Sequence, residues 1–210
     1  MTLRKRARPT LTRPFSRVDI VLMAPPQRLL QGAFTVEKYH KLGELGVFHE
    51  DDRVELVNGQ IVAMSPIGAA HAACVLRLNT FLARRTELPV AVSMQNPVLL
   101  DPRWEPQPDI AILRPAAGLG GHWHATAQDV LLIIEVADSS LAYDRDVKIP
   151  AYAEAGIPEV WLVDLNTDSI SAFRNPGADG YRELLRVRRG ETLRSMQLPD
   201  TEITADEILG

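Results

Sequence analysis

Three charged residues set in apolar surroundings carry the most chemical information. Asp109 heads the run Ile110-Ala111-Ile112-Leu113, Glu135 lies inside Val130-Leu131-Leu132-Ile133-Ile134-Glu135-Val136, and Lys148 stands just beyond. The second run reads as a strand buried on both faces. A carboxylate buried there costs several kcal/mol or more unless a cation faces it, so a lysine, an arginine or a metal ion is required. Two strand carboxylates and one nearby lysine are read as a metal-dependent hydrolytic site. The rest of the chain must hold them in place.

The bulk composition permits this and excludes other classes. The chain has 210 residues, 46% of them hydrophobic and 24% charged, which suits one domain with appendages and a proper core. A net charge of -4 gives no global attraction to nucleic acid or anionic membrane, so contact with DNA must come from a local patch or through a metal ion. The single cysteine, Cys74, excludes an intrachain disulfide and a cysteine metal site, and cytoplasmic chemistry is the default. No apolar run reaches the roughly 18 residues that span a bilayer.

Residues 1–33 are expected to be a basic tail and linker, disordered, ahead of a folded domain over 34–210. Within its first 22 residues Arg4, Lys5, Arg6, Arg8, Arg13 and Arg17 oppose only Asp19. It reads as an arm that touches nucleic acid, as a solvated tail, or as a start-site artefact with Met23 the true first residue. The last two are favoured, because a charge run alone is weak evidence for binding.

The positioning elements follow in order. Thr35 caps a short helix through Glu44, with Tyr39, Leu42 and Leu45 near helical spacing and Gly46 ending it. Strands over residues 53–57 and 60–64 flank Asn58-Gly59, a strong hairpin signal. A helix from about Ala69 to Arg85 carries Val75, Leu78, Leu82 and Ala83 at a period of 3.6. Val90-Ala91-Val92 is a short strand. A further strand begins at Asn96-Pro97-Val98-Leu99-Leu100, breaks at Asp101-Pro102-Arg103 and resumes from Asp109 to Leu113. Residues 114–128, with Gly118, Gly120 and Gly121, form a long loop.

Beyond the buried strand, Asp144 to Ala155 is a helix in which Pro150 sits awkwardly. Either its first turn is kinked or the regular helix begins only there. Glu159 to Asp164 is another buried strand. Ser169–Arg174 and Tyr181–Val187 look like an edge hairpin, and Ile203 and Ile208 pack back on the sheet. This order describes a mixed α/β domain built on one central sheet.

Taken together, Pro108-Asp109, Ile134-Glu135-Val136-Ala137, Tyr143-Asp144-Arg145-Asp146-Val147-Lys148, Tyr152 and Gly156-Ile157-Pro158-Glu159-Val160-Trp161-Leu162-Val163-Asp164 form a recurring pattern. With Val54-Glu55-Leu56-Val57-Asn58-Gly59-Gln60-Ile61 and Ser65-Pro66 upstream, the chain from about Phe34 to its end resembles the Uma-two-type restriction endonuclease family of the PD-(D/E)XK nuclease superfamily. The resemblance implies a restriction-endonuclease-like central mixed sheet flanked by helices, and metal-dependent cleavage of a DNA phosphodiester. It makes Asp109 and Glu135 the acidic metal ligands. The superfamily motif places its lysine two residues after the second acid, where this chain has Ala137. The family takes the lysine from the following helix, and Lys148 matches it. Glu55 resembles an additional acid from the N-terminal region.

Taken singly, each of these residues is better read as a member of a buried salt-bridge network. Two acids heading strands, a lysine on the next helix and the family pattern around them favour a site. Mg²⁺, with Mn²⁺ as a substitute, suits two carboxylates, a backbone carbonyl such as that of Val136, and water. Lys148 would orient water, stabilise transition-state charge, or accept a proton if the cation lowered its pKa. Tyr152 shares its helical face and would line the site.

Other candidates have plainer readings. A zinc site at the His122-x-His124 pair would need at least one more ligand from elsewhere, and the pair reads rather as solvent-exposed, or as part of a mobile loop facing substrate. His71 is a capping or packing residue that could touch a phosphate. Cys74 and Trp161 read as core, and Arg84-Arg85 as compensation of a helix dipole. Trp104 and Trp123 lie in loops, where base stacking is conceivable. The functional expectation is a DNA endonuclease, with a homodimer as the natural way to cut both strands. The alternative is a catalytically inactive interaction module that keeps the nuclease fold.

Overall fold

The computed structural model describes residues 34–49, 51–85, 90–115, 124–198 and 202–210. The basic tail expected over residues 1–33 and the loop residues Gly118, Gly120, Gly121, His122 and Trp123 lie outside the described residues.

Helix α1 (Val36–Glu44) starts at Thr35, whose hydroxyl accepts from the Lys38 N–H. A hairpin follows, β1 (Val54–Val57) and β2 (Gln60–Ala63), in the expected register with Val57 opposite Gln60. Asn58 and Gly59 both take positive φ, 48° and 71°, the geometry of a turn whose twist matches its strands. Helix α2 (Ala69–Arg85) comes next, followed by β3 (Ala91–Met94), β4 (Val98–Leu99), β5 (Ile110–Leu113), β6 (Ala125–Thr126) and β7 (Val130–Ala137). The crossover after β7 is helical throughout: α3 (Leu141–Tyr143), a π-turn (Asp144–Lys148) and α4 (Ile149–Glu154). Strands β8 (Glu159–Asp164), β9 (Ser169–Gly177), β10 (Gly180–Arg188), β11 (Thr192–Arg194) and β12 (Glu202–Thr204) lead to α5 (Ala205–Leu209).

The central sheet has six strands in the order β10-β9-β8-β7-β5-β3. Strands β7 and β8 run parallel and the other pairs antiparallel, so the sheet is mixed, as expected. β7 is buried on both faces, which is why its sequence shows a continuous apolar run. Leu132, Ile134 and Val136 join one core, beneath Cys74, Leu78 and Leu82 of α2 and Ile208 of α5. Ile133 and Ala137 join the other, with Ile149 and Tyr152 of α4. Side chains alternate along a strand, so Glu135 points toward the α4 face. Arg77 of α2 ties α5 down by donating to the carbonyls of Ile208 and Leu209 at 2.8 Å each.

Several expectations change. The stretch from Asn96 to Leu113 is not one interrupted strand. β4 leaves the central sheet and pairs in parallel with β6, which lies in the stretch expected to be irregular loop. The expected edge hairpin is present as β9 and β10, with β10 at one edge of the sheet, β9 between β8 and β10, and β3 at the other edge. The buried face of α2 is Cys74, Leu78, Phe81 and Leu82, whereas Ala83 is exposed. Leu45 is exposed too. The crossover helix begins at Leu141 rather than Asp144, and the Ile149 N–H reaches back to the Asp144 carbonyl. That wider turn lets Pro150, which has no N–H to donate, sit in the first turn of α4, and the helix continues through it.

Candidate active site

Antiparallel pairing sets Ile110 against Ile134, which brings Asp109 opposite Glu135. The two residues are locked reciprocally. The Asp109 N–H donates to Glu135 Oε2 at 3.2 Å, and the Val136 N–H donates to Asp109 Oδ2 at 2.9 Å. The acids therefore share one face because the strand register leaves them no other arrangement.

The crossover helix completes the group. Tyr152 donates to Glu135 Oε1 at 2.6 Å, and Lys148 Nζ lies 3.3 Å from the same oxygen. Lys148 also pairs with Glu55 Oε2 at 3.2 Å and Asp144 Oδ1 at 4.0 Å. Glu55 comes from β1, where the Gln107 N–H and the Tyr143 hydroxyl hold its two oxygens at 3.0 and 3.2 Å. All the residues expected at the site, Glu55, Asp109, Glu135, Val136, Lys148 and Tyr152, are thus brought together. Except for Tyr152, packed behind Glu135, they line one cavity of about 370 Å³.

Four residues join them without an assigned role from the sequence. His71, on α2, lies 3.0 Å from Asp109 Oδ2, and Gln95 Nε2 donates to Asp109 Oδ1 at 3.4 Å. Tyr143 and Asp144 precede Lys148 on the crossover. The (i, i+4) spacing of Asp144 and Lys148 was a readable signal. His71 was noticed only as a capping or packing residue that could touch a phosphate, since its place beside Asp109 depends on how α2 packs on the sheet. Gln95 left no signal, because strand pairing alone brings it near Asp109.

The electrostatics are unbalanced. Glu55, Asp109, Glu135 and Asp144 line the cavity with Lys148 as the ammonium among them. Burial pushes the Glu135 carboxyl up to about 8, and repulsion from Asp144 and Asp109 adds to this, although Lys148 pulls it down. Burial likewise raises Asp144. The hydrogen bond to Asp109 raises His71. Burial works to lower Lys148, but attraction from Glu135, Glu55 and Asp144 outweighs it and the pKa is raised. Lys148 is thus a firm cation in these surroundings.

A second buried carboxylate shows the contrast. Glu159 accepts from Arg174, Trp161, Ser195 and the Met196 N–H, at 2.8 to 2.9 Å. It is a finished structural network with its own arginine. The cavity acids share one lysine and face open space.

His124 departs from expectation. It lies neither on a substrate-facing loop at the cavity nor alone in solvent, but beside His40 and Glu105. Among the described residues no helix is long and apolar enough to cross a membrane.

Comparison with known proteins gives the lineage. No curated protein matches the sequence. Among solved structures, the fold is similar to a crystal structure from Anabaena variabilis titled a putative nuclease belonging to DUF820. The TM-score is 0.62 at 15% identity, over 84% of this chain and 97% of that one. Such a match speaks to the fold alone, and it agrees with a restriction-endonuclease-like mixed sheet. Residues 36–206 match the model of the Uma2 family, whose description is "Putative restriction endonuclease", and the chain belongs to that family.

Proposed function

We propose that this chain is a Mg²⁺-dependent endonuclease that hydrolyses DNA phosphodiester bonds in the cavity between β1, β5, β7 and the crossover helix. The observation that carries the reading is the reciprocal lock between Asp109 and Glu135 at the floor of an open cavity, with Lys148 beside them.

The donor set fits a hard divalent cation. The cavity offers carboxylate oxygens in excess of positive charge. Asp109, Glu135 and the Val136 carbonyl would hold the ion, which prefers oxygen ligands and keeps water. When bound, Mg²⁺ supplies Lewis-acid polarisation of a phosphate oxygen and neutralises charge on the phosphate. Lys148 stays protonated and stabilises negative charge that builds in the transition state. Glu55 and Asp144 hold its Nζ in place, and Tyr152 fixes the rotamer of Glu135. His71 holds Asp109 Oδ2, the oxygen that also accepts from the Val136 N–H.

Nicking of supercoiled plasmid tests this, in Mg²⁺, Mn²⁺ or EDTA. Wild type should cut with either metal and not in EDTA. Asp109→Ala, Glu135→Ala and Lys148→Ala should each lose at least about 100-fold, the scale of a removed electrostatic stabiliser. Equal nicking by wild type and Asp109→Ala would assign the activity to a contaminant. A second reading, an inactive interaction module with a nuclease fold, is favoured by the net charge of -4. It requires both no cutting and no heat of Mn²⁺ binding in calorimetry. The same family chemistry makes a homodimer the expected state for double-strand cutting, checked by light scattering.

A further inference from the structure

Outside the acidic cavity, three residues from distant segments converge. His40 is on α1, Glu105 follows the Asp101 turn, and His124 immediately precedes β6. Each offers one ligand atom, and the three atoms lie within 4.8 Å of one another. His40 Nε2 is 2.7 Å from Glu105 Oε2, and His124 Nδ1 is 3.6 Å from Glu105 Oε1. The two imidazole rings lie 4.9 Å apart, tilted by 35°.

Glu105 is the telling member. Its side chain is 1% exposed, and among the described residues Oε1 accepts no hydrogen bond. A carboxylate that deep is normally paired with a full cation and satisfied at both oxygens. Glu159 in this same molecule has an arginine and several donors. Among the described residues Glu105 pairs with two imidazoles, and it presents its unsatisfied oxygen toward the second of them.

We propose that His40, Glu105 and His124 form a second cation site, separate from the Asp109 and Glu135 pocket, that takes a borderline transition ion of the zinc class. Two imidazoles and one carboxylate form a zinc-type donor set, whereas magnesium prefers oxygen alone. A tetrahedral ion about 2.1 Å from each ligand holds them about 3.4 Å apart, so the wider separations, up to 4.8 Å, would close while the 2.7 Å contact of His40 with Glu105 would open slightly. His40 and His124 are 37% and 28% exposed, so an ion has an entry path and a water can complete the shell.

The site would act as a clamp. It would join α1 to the Glu105 segment and to the start of β6. The backbone of Glu105 pairs with Leu56, the neighbour of Glu55. Occupancy would therefore stiffen the strand that delivers Glu55 to Lys148.

The test is Zn²⁺ titration of the untagged full chain, with Mg²⁺ kept in excess to fill the oxygen-rich pocket. Wild type should bind one zinc and melt at a higher temperature with it. His40→Ala and His124→Ala, both partly exposed and checked for fold by circular dichroism, should weaken zinc binding by roughly 100-fold or more and lose the thermal shift. Asp109→Asn should keep both. Co²⁺ should give a tetrahedral visible spectrum in wild type and none in His40→Ala. Zinc affinity unchanged in the two histidine variants, or lost equally in Asp109→Asn, overturns the proposal.

Discussion

Glu135 is held in a state that serves a cation better than it serves the metal-free fold. Burial, with repulsion from Asp144 and Asp109, raises its carboxyl to about 8 from an ordinary 4.5. An acid whose pKa is higher in the folded state binds its proton more tightly there than in the unfolded chain. Metal-free stability must therefore fall as pH rises between those two values. His71 acts in the same direction, since its raised pKa favours the fold only while it is protonated, and that contribution fades above its ordinary 6.5. Lys148 does not enter this window, because its pKa lies above the ordinary 10.5. We expect Glu135→Gln to be at least as stable as wild type in EDTA at pH 8, with a shallower loss of stability from pH 5 to 8. Mg²⁺ at about 100 times its Kd should stabilise wild type by about 2.7 kcal/mol and leave the glutamine variant unmoved. Thermal melts in EDTA and in Mg²⁺ measure both. A variant that is less stable in EDTA, or that gains equally from Mg²⁺, would remove Glu135 from the ion's shell.

At the scale of elements, local signals were legible and remote pairings were not. Asn58-Gly59 announced its hairpin because the turn needs left-handed φ at both residues, and both have it. Gly59→Ala should cost about 1 kcal/mol in urea denaturation, the penalty of a Cβ in that region, while Asn58→Gly should be nearly neutral. The reverse ranking would mean that the turn is not what holds β1 and Glu55. The acids of β5 and β7 were legible because a charge in a long apolar run has no structural reason to be there. Lys148 was legible through the family pattern, and the awkward Pro150 correctly flagged the irregular turn that carries it. The pairing of β4 with β6 was invisible, since two residues on each side carry no periodicity. The meeting of His40, Glu105 and His124 was equally invisible, although one of the three, His124, was noticed in the His122-x-His124 pair. A convergence of three segments so far apart in sequence is a property of topology, not of spacing.

For the whole molecule the unsettled quantity is how an acidic protein meets an acidic polymer. Residues 1–33 contain seven lysines and arginines against one aspartate, so of the total charge of -4 the rest of the chain carries -10. A body of that charge gains nothing from phosphate by itself, and its cavity is the most acidic feature described. If the proposed cleavage of DNA holds, the polymer would be drawn in by the divalent ion and by side chains at the rim such as Arg53, which lines the cavity. We expect the chain from residue 34 onward to keep the melting temperature and the metal-dependent nicking of the full chain. In EDTA it should show no DNA binding at physiological salt, whereas in Ca²⁺, an oxygen-seeking ion, binding should appear. The discriminating quantity is the slope of log K against log salt for both lengths of chain. An unchanged slope makes the basic segment a solvated appendage and leaves recognition to the metal and the rim. A slope shallower by about five on truncation would mean that its six excess positive charges neutralise phosphates, at about 0.9 per contact. In that case the protein divides its labour, with one segment supplying non-specific attraction and the acidic cavity supplying the cut.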